Sequence, residues 1–183
     1  MNIKSLADLS LLNTFGLPSI AERLVSIRSQ DEISGYFESG EPHPSLVLGG
    51  GSNLLLTNNI SGTVLKIEVP GIEVLSETVD HLFVKVGAGE VWHNFVLYAI
   101  DNGWAGIENL SLIPGNVGTA PMQNIGAYGV EIKSVFHELD AYLTDDKCWQ
   151  IFNLQDCNFG YRESVFKCKL KNKAVIGSVT FKL

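Results

Sequence analysis

Ile113-Pro114-Gly115-Asn116-Val117-Gly118-Thr119-Ala120-Pro121-Met122-Gln123-Asn124-Ile125-Gly126-Ala127-Tyr128-Gly129 is the stretch on which the reading of this chain turns. It lies within residues 104–131, which are too apolar for a solvated linker and too broken by glycine and proline for a long helix. Ordered loops of this length are usually functional or wrapped on a ligand. Fixed-φ prolines, permissive glycines and uncharged hydrogen-bonding side chains suit a loop that embraces a large, flat, polar-edged and anionic molecule.

Working backwards along the chain, Gly87-Ala88-Gly89 precedes a helical pattern in which Val91, Trp92, Phe95, Val96, Ala99 and Ile100 share a face and Gly103 is placed to stop it. Leu46-Val47-Leu48 reads as a short buried strand, and Gly49-Gly50-Gly51-Ser52-Asn53 follows it directly. Glycine allows left-handed dihedrals and close approach, so such a loop presents several backbone N–H groups to a phosphate, with Ser52 and Asn53 adding side-chain bonds. The dinucleotide fingerprint would need glycine where Leu54 stands, and no Gly-Lys-Ser/Thr exists for a P-loop. A plain glycine turn between strand and loop is the competing reading.

The elements around these loops follow from pattern. Residues 1–19 read as polar and irregular. Leu24, Val25 and Ile27 suggest a strand, and Ser29 with Glu32 three residues on begins a capped helix to about Phe37, so residues 24–48 form a βαβ unit. Val64–Ile67 offers another strand, and Pro70-Gly71 marks a boundary, with one lobe over about 18–68 and a second over 69–183. Ile72–Leu75 and Leu82–Val86 make a hairpin. Strands are expected at Ile132–Leu143, Trp149–Phe152 and Ala174–Leu183, with a turn at Thr144–Lys147.

Composition narrows the function. The chain has 183 residues, 45% hydrophobic, with 13 Lys+Arg against 20 Asp+Glu and a formal charge of -7, the wrong sign for a general nucleic-acid binder. Cys148, Cys157 and Cys168 are widely spaced, without a CxxC, and fit neither a disulfide framework nor a zinc site. His43, His81, His93 and His137 are scattered, so no metal site is expected. Neither a secretory signal nor a membrane span is visible, and the reading is a cytoplasmic protein with no membrane partner. In Phe159-Gly160-Tyr161-Arg162-Glu163-Ser164-Val165-Phe166-Lys167 one arginine stands among aromatic residues. A guanidinium there can hold a carboxylate by a bidentate pair, and an ion pair with Glu163 is the alternative. Cys157 reads as a small buried apolar residue, and Trp92 and Phe95 as core.

Together, Asn13-Thr14-Phe15-Gly16, Gly49 to Asn53, Gly87-Ala88-Gly89 with Trp92, Gly106-Ile107-Glu108-Asn109-Leu110, the 113–131 run and Phe159 to Lys167 resemble the flavin domain of the UDP-N-acetylenolpyruvoylglucosamine reductase (MurB) family, in order and over nearly the whole chain. The resemblance implies an α+β, two-lobed FAD-binding fold of the vanillyl-alcohol-oxidase (PCMH) type. It implies FAD held noncovalently, with Gly49, Gly50, Gly51, Ser52, Asn53 and Leu54 at the pyrophosphate. Ala88, Ile113, Pro114, Gly115, Val117, Gly118 and Thr119, then Gln123, Asn124, Gly126, Ala127 and Tyr128, would line the flavin and the rest of the nucleotide, with Ile176 packing nearby.

The same resemblance implies a reaction in which NADPH reduces the flavin and UDP-N-acetylglucosamine enolpyruvate then takes the hydride, in peptidoglycan precursor synthesis. Arg162 would be catalytic at the substrate carboxylate and Tyr161 would shape the substrate pocket. The family continues into a substrate-binding domain that supplies a Ser proton donor and a Glu. That domain is expected to be missing here, so the chain would bind FAD yet lack full activity. A stand-alone flavin-binding module, or another FAD oxidase on the same scaffold, are the alternatives.

Overall fold

Two sheets, the first mixed and the second wholly antiparallel, divide the apolar runs between them in the computed structural model, which describes residues 1–183. In chain order the elements are β1 (Asn2–Asp8), β2 (Ile20–Ile27), α1 (Gln30–Glu38), β3 (Leu46–Leu48), β4 (Ile60–Ile67), β5 (Ile72–Glu77), β6 (Leu82–Gly87), α2 (Trp92–Asp101), β7 (Gly126–Ala127), β8 (Val130–Glu131), β9 (Phe136–Leu143), β10 (Cys148–Asn153) and β11 (Ala174–Lys182). The architecture is α+β. The first sheet has the order β1-β2-β4-β3 and the second β10-β9-β11-β6-β5, and the chain passes from one to the other between Ile67 and Ile72.

In the first sheet β2 and β3 both lie parallel to β4, which is inserted between them, so the β2-α1-β3 crossover spans one intervening strand. α1 starts where a serine can cap it. The Ser29 hydroxyl accepts the Glu32 N–H at 3.1 Å, while the Glu32 carboxylate turns back to the Arg28 N–H at 2.7 Å rather than to the N-cap itself. From Thr63 onward β4 is buried on both faces, as a strand covered on two sides must be. Val25, Ile27, Leu65 and Ile67 on one face join a main core of 34 buried residues, whereas Leu24, Leu48 and Val64 on the other join Ala7, Leu9 and Ala21 in a cluster of only 6. The first lobe is therefore thin on the side away from α1.

The second sheet carries most of the main core. β11 sits in its middle, antiparallel to β6 on one side and β9 on the other. α2 lays Trp92, Phe95, Val96 and Ala99 against it, and Trp92, Phe95 and Phe181 pack edge-to-face or tilted with centroids 5.1–5.8 Å apart. Gly103, at φ 74°, ends the helix in the left-handed conformation.

Four expectations need correction. Residues 2–8, read as irregular, form β1, paired antiparallel with β2, so the first sheet begins well before residue 18. Val91 and Ile100 are exposed rather than on the packed face of α2. Ile132–Ser134 make a 3-10 turn, and the strand begins at Phe136. Arg162 makes no ion pair with Glu163, whose carboxylate instead accepts the Cys168 thiol at 2.9 Å. Cys157 is fully buried, and burial pushes its thiol up to about 12.

Candidate functional site

Between the two sheets, two cavities of about 140 and 210 Å³ share Val47, Gly49, Thr119 and Met122 in their walls, so they form one continuous cleft. The smaller chamber is mainly apolar, lined by Leu46, Ile67, Ala88, Met122, Phe166, Val175 and Ile176 together with Gly118 and Asn172. The larger is lined by Gly49, Gly50, Gly51, Ser52, Asn53 and Leu54 on one side and Pro114, Asn116, Thr119 and Gln123 on the other, with Lys167 the only charged residue.

One wall is the loop after β3. Gly51 stands at φ 68°, and a Cβ at Gly50 would lie 2.6 Å from Asn116 Oδ1 and 2.7 Å from Gly115 Cα. Glycine is needed because two backbones meet there. None of the N–H groups of Gly50, Gly51, Ser52 and Asn53 meets a backbone carbonyl. Four successive amides left free at the rim of a cleft form the type of concavity that receives an anion. Asn53 reaches across to Gln123, Nδ2 to Oε1, at 3.4 Å.

The opposite wall is held from within. Trp92 N–H donates to Gly115 O at 3.0 Å, Val117 N–H to Glu90 O at 2.8 Å and Gly118 N–H to Ala88 O at 3.0 Å. Asn116 Nδ2 donates to Gly89 O at 2.6 Å, and Thr119 caps the turn through its hydroxyl, which accepts from Asn116 N–H at 3.2 Å. A Cβ on Gly118 would lie 2.5 Å from that of Ala88, so this turn is seated directly on the Gly87–Gly89 corner. Val117 points into the main core and Ile113 packs against it; neither lines the cleft.

The Gln123–Tyr128 segment and Tyr161-Arg162 come together beside the cleft. Asn124, fully buried at φ 43°, donates through Nδ2 to Gly160 O at 2.9 Å and accepts the Lys133 N–H at 3.2 Å. β7 and β8 are a two-residue hairpin turned at Tyr128 and Gly129, φ 51° and 82°, the pairing a type I′ turn demands. The Arg162 guanidinium donates to Gly126 O and, at 3.5 Å, to Asn124 O, and lies 5.5 Å from the centroid of the Tyr161 ring. Two of its five donors are thereby used to tie the hairpin down. Tyr128 and Tyr161 are 89% and 85% exposed, so this corner opens outward. Gly126, Ala127, Tyr128, Tyr161 and Arg162 do not line the two chambers.

Sequence reasoning missed Val47, Asn116, Met122, Phe166 and Lys167 as cleft residues. Asn116 and Met122 lie inside the decisive run and could have been taken from it; Val47 looks like any strand residue.

A family model described as an FAD binding domain matches residues 22–151. The chain belongs to this family. It is 44% identical over 183 residues to the UDP-N-acetylenolpyruvoylglucosamine reductase of Flavobacterium johnsoniae, covering 100% of this chain and 54% of that one. To the enzyme of the same name from Azoarcus sp. it is 49% identical over 169 residues, covering 88% and 48%. The crystal structure of UDP-N-acetylenolpyruvylglucosamine reductase (MurB) from Thermus caldophilus superposes with a TM-score of 0.74 at 24% identity, over 98% of this chain and 60% of that one. These findings bear out the motif resemblance and the two-lobed FAD-binding fold. The chain spans about half the length of the curated relatives it matches. No helix is long and apolar enough to cross a membrane, and no three His, Cys, Asp or Glu side chains are grouped as metal ligands would be.

Proposed function

We propose that this FAD-binding domain holds FAD noncovalently in the cleft and forms the flavin-binding part of a UDP-N-acetylenolpyruvoylglucosamine reductase. The carrying observation is the cleft's division into an apolar chamber and a chamber rimmed by the free amides of Gly50 to Asn53. A dinucleotide has the same division, a flat ring at one end and an anionic bridge in the middle, and backbone N–H groups neutralise such a bridge without a counter-charge. Gly49 to Leu54 would take the pyrophosphate. Pro114, Gly118, Thr119 and Gln123 would supply the facing wall, and Ala88 and Ile176 the apolar packing.

The bound flavin would supply hydride transfer, from NADPH to the enolpyruvyl ether. Hydride addition to the methylene carbon drives negative charge toward the carboxylate-bearing carbon, so a fixed cation at that carboxylate lowers the barrier. Arg162 fits this role: its guanidinium is oriented by Gly126 O and Asn124 O and by the Tyr161 ring, with donors left over. Tyr161, beside it on the open corner, would bound the substrate. The substrate UDP-N-acetylglucosamine enolpyruvate and the NADPH donor rest on the relatives' names and on the motif resemblance.

The test is reconstitution of the 183 residues with FAD, followed by gel filtration and a visible spectrum. Retained flavin absorbance with about one FAD per chain is expected, and its complete loss on gel filtration, with no change in flavin fluorescence on titration, removes the reading. Because the relatives are about twice as long, the isolated chain is expected to oxidise NADPH slowly or not at all with the enolpyruvyl substrate. A rate like that of a full-length relative would contradict this.

A further inference from the structure

β4 carries a single charge in its buried half. Lys66 lies between Leu65 and Ile67, opposite Ser26 on β2 and Leu48 on β3, and is 9% exposed. No carboxylate pairs with it. Glu68, two residues on, engages Arg28 at 3.4 Å, and Asp8 accepts from the N–H and hydroxyl of Ser10 at 2.8 and 3.0 Å. A cation removed from water without a counter-ion is costly, and burial pushes the Lys66 ammonium down from its ordinary range.

The one partner of that ammonium is informative: Lys66 Nζ donates to the carbonyl oxygen of Gly49, the first residue of the glycine loop. The Gly49–Gly50 peptide is planar and trans, so its C=O and N–H point in opposite directions. Lys66 stands on the side of the loop away from the cleft, among Lys4, Arg28 and Glu68, while Gly50 lines the cleft. Holding the carbonyl backwards therefore holds the Gly50 N–H forwards. A hydrogen bond from an ammonium to the carbonyl also polarises the peptide and makes its N–H a stronger donor.

We propose that Lys66 is a positioning residue for the pyrophosphate of the bound dinucleotide, acting through the Gly49–Gly50 peptide from behind the loop and supplying the positive charge the cleft itself lacks there. This rests on the cleft being the FAD site. Lys167 also lines the chamber that holds the loop, but its ammonium donates to the Arg162 carbonyl at 3.1 Å, and no other lysine or arginine lines it.

The test compares the parent chain with Lys66→Met and Lys66→Arg, titrating each with FAD and with riboflavin, which lacks phosphate, and melting each without ligand. Lys66→Met keeps the length of the side chain and removes its charge and donor. Its FAD Kd should rise about tenfold, equivalent to about 1.4 kcal/mol, with riboflavin binding unchanged and the apo protein melting no lower than the parent, because a buried charge has been removed. Lys66→Arg should restore FAD affinity. Unchanged FAD affinity in Lys66→Met overturns the proposal. So does parallel weakening toward FAD and riboflavin together with a lower apo melting temperature, since that is the signature of a damaged β4. A parent chain that binds no FAD brings down the reading of the cleft first, and the role of Lys66 with it.

Discussion

The two walls of the cleft are built on opposite terms. The Gly49–Asn53 wall follows a three-residue edge strand, has the 6-residue cluster behind it and leaves four amides without a backbone acceptor. The Pro114–Gln123 wall has its Val117 and Gly118 amides engaged by Glu90 and Ala88, those of Asn116, Thr119 and Ala120 bonded within the turn, and its Val117 and Ala120 side chains inside the 34-residue core. One wall carries open donors with the smaller cluster behind it; the other is fixed from within. Unfilled hydrogen-bonding capacity is affordable only at a surface where water can satisfy it, so the wall with free amides sits at the edge and the self-bonded wall in the core.

That contrast is broken most severely from the rigid side. Gly118→Val places atoms where Ala88 Cβ is already 2.5 Å from an added Cβ and its backbone 3.1 Å away. Overpacking at such a seat should cost about 3 kcal/mol or more, read as a fall in urea midpoint or melting temperature whether or not FAD is present. Gly50→Ala attacks the same closeness from the binding side, where the new methyl would meet Asn116 Oδ1 and Gly115 Cα. Here the wall is backed by the smaller cluster and the Leu12–Asn13 backbone rather than by the main core, so it yields more readily. The expected outcome is a small loss of apo stability and a loss of FAD affinity of about tenfold, or about 1.4 kcal/mol, by fluorescence titration. If Gly50→Ala unfolds the chain while Gly118→Val merely weakens FAD, the two walls have been assigned the wrong way round.

The same contrast explains what could be read in advance. The rigid wall and its support are written in local signals: Trp92, Phe95, Val96 and Ala99 at helical spacing, Gly103 as a stop, and the glycine- and proline-broken run from Ile113. The glycine loop was legible because β3 ends on three consecutive glycines. β1 was not, since only Ala7 of its seven residues is buried and an edge strand with no apolar face has no alternation to show. Val91 and Ile100 fit a helical stripe on paper, yet the stripe is narrower than the pattern allows. Lys66 reads as an ordinary outward charge in a strand, and only the burial of both faces of β4 shows it to be something else. Arg162 was found by its aromatic neighbours, but its anchoring to Asn124 and Gly126 joins residues 36–38 positions apart and no spacing rule reports it.

Arg162 gives a sharper and smaller test of the rigid side. Arg162→Ala removes both carbonyl contacts from the β7–β8 hairpin, a loss of about 1 kcal/mol for hydrogen bonds to a charged donor that is partly solvated. Faster amide exchange should be confined to residues 124–131, with FAD affinity nearly intact, because this corner does not line the two chambers. Exchange that spreads into Val117 and Ala120 would show that the hairpin helps to hold the rigid wall.

An effect of similar size concerns a joint between α1 and the second sheet. Gln30, at the start of α1, donates to the Ser178 hydroxyl at 3.2 Å, and that hydroxyl donates to Asp140 Oδ2 at 2.7 Å, so the first half of the chain is tied to β11 and β9 of the second sheet. Burial raises the Asp140 carboxyl, but the Lys85 ammonium at 2.6 Å and the Ser178 hydroxyl outweigh it and hold it below the usual range. A carboxyl depressed in the folded state contributes stability above its unfolded pKa, about 3.9, and loses it as pH falls through the folded value. Asp140→Asn should therefore cost about 1 kcal/mol at pH 7, since the pair is only partly shielded from water. The gap between parent and variant should narrow as the pH falls below about 4 and close only below the depressed folded value. Urea unfolding of both proteins at pH 7 and pH 3 measures it. A gap that does not narrow at all between pH 7 and pH 3 would mean that the hydroxyl-accepting geometry of Asp140 matters and its charge does not, leaving the joint indifferent to acid.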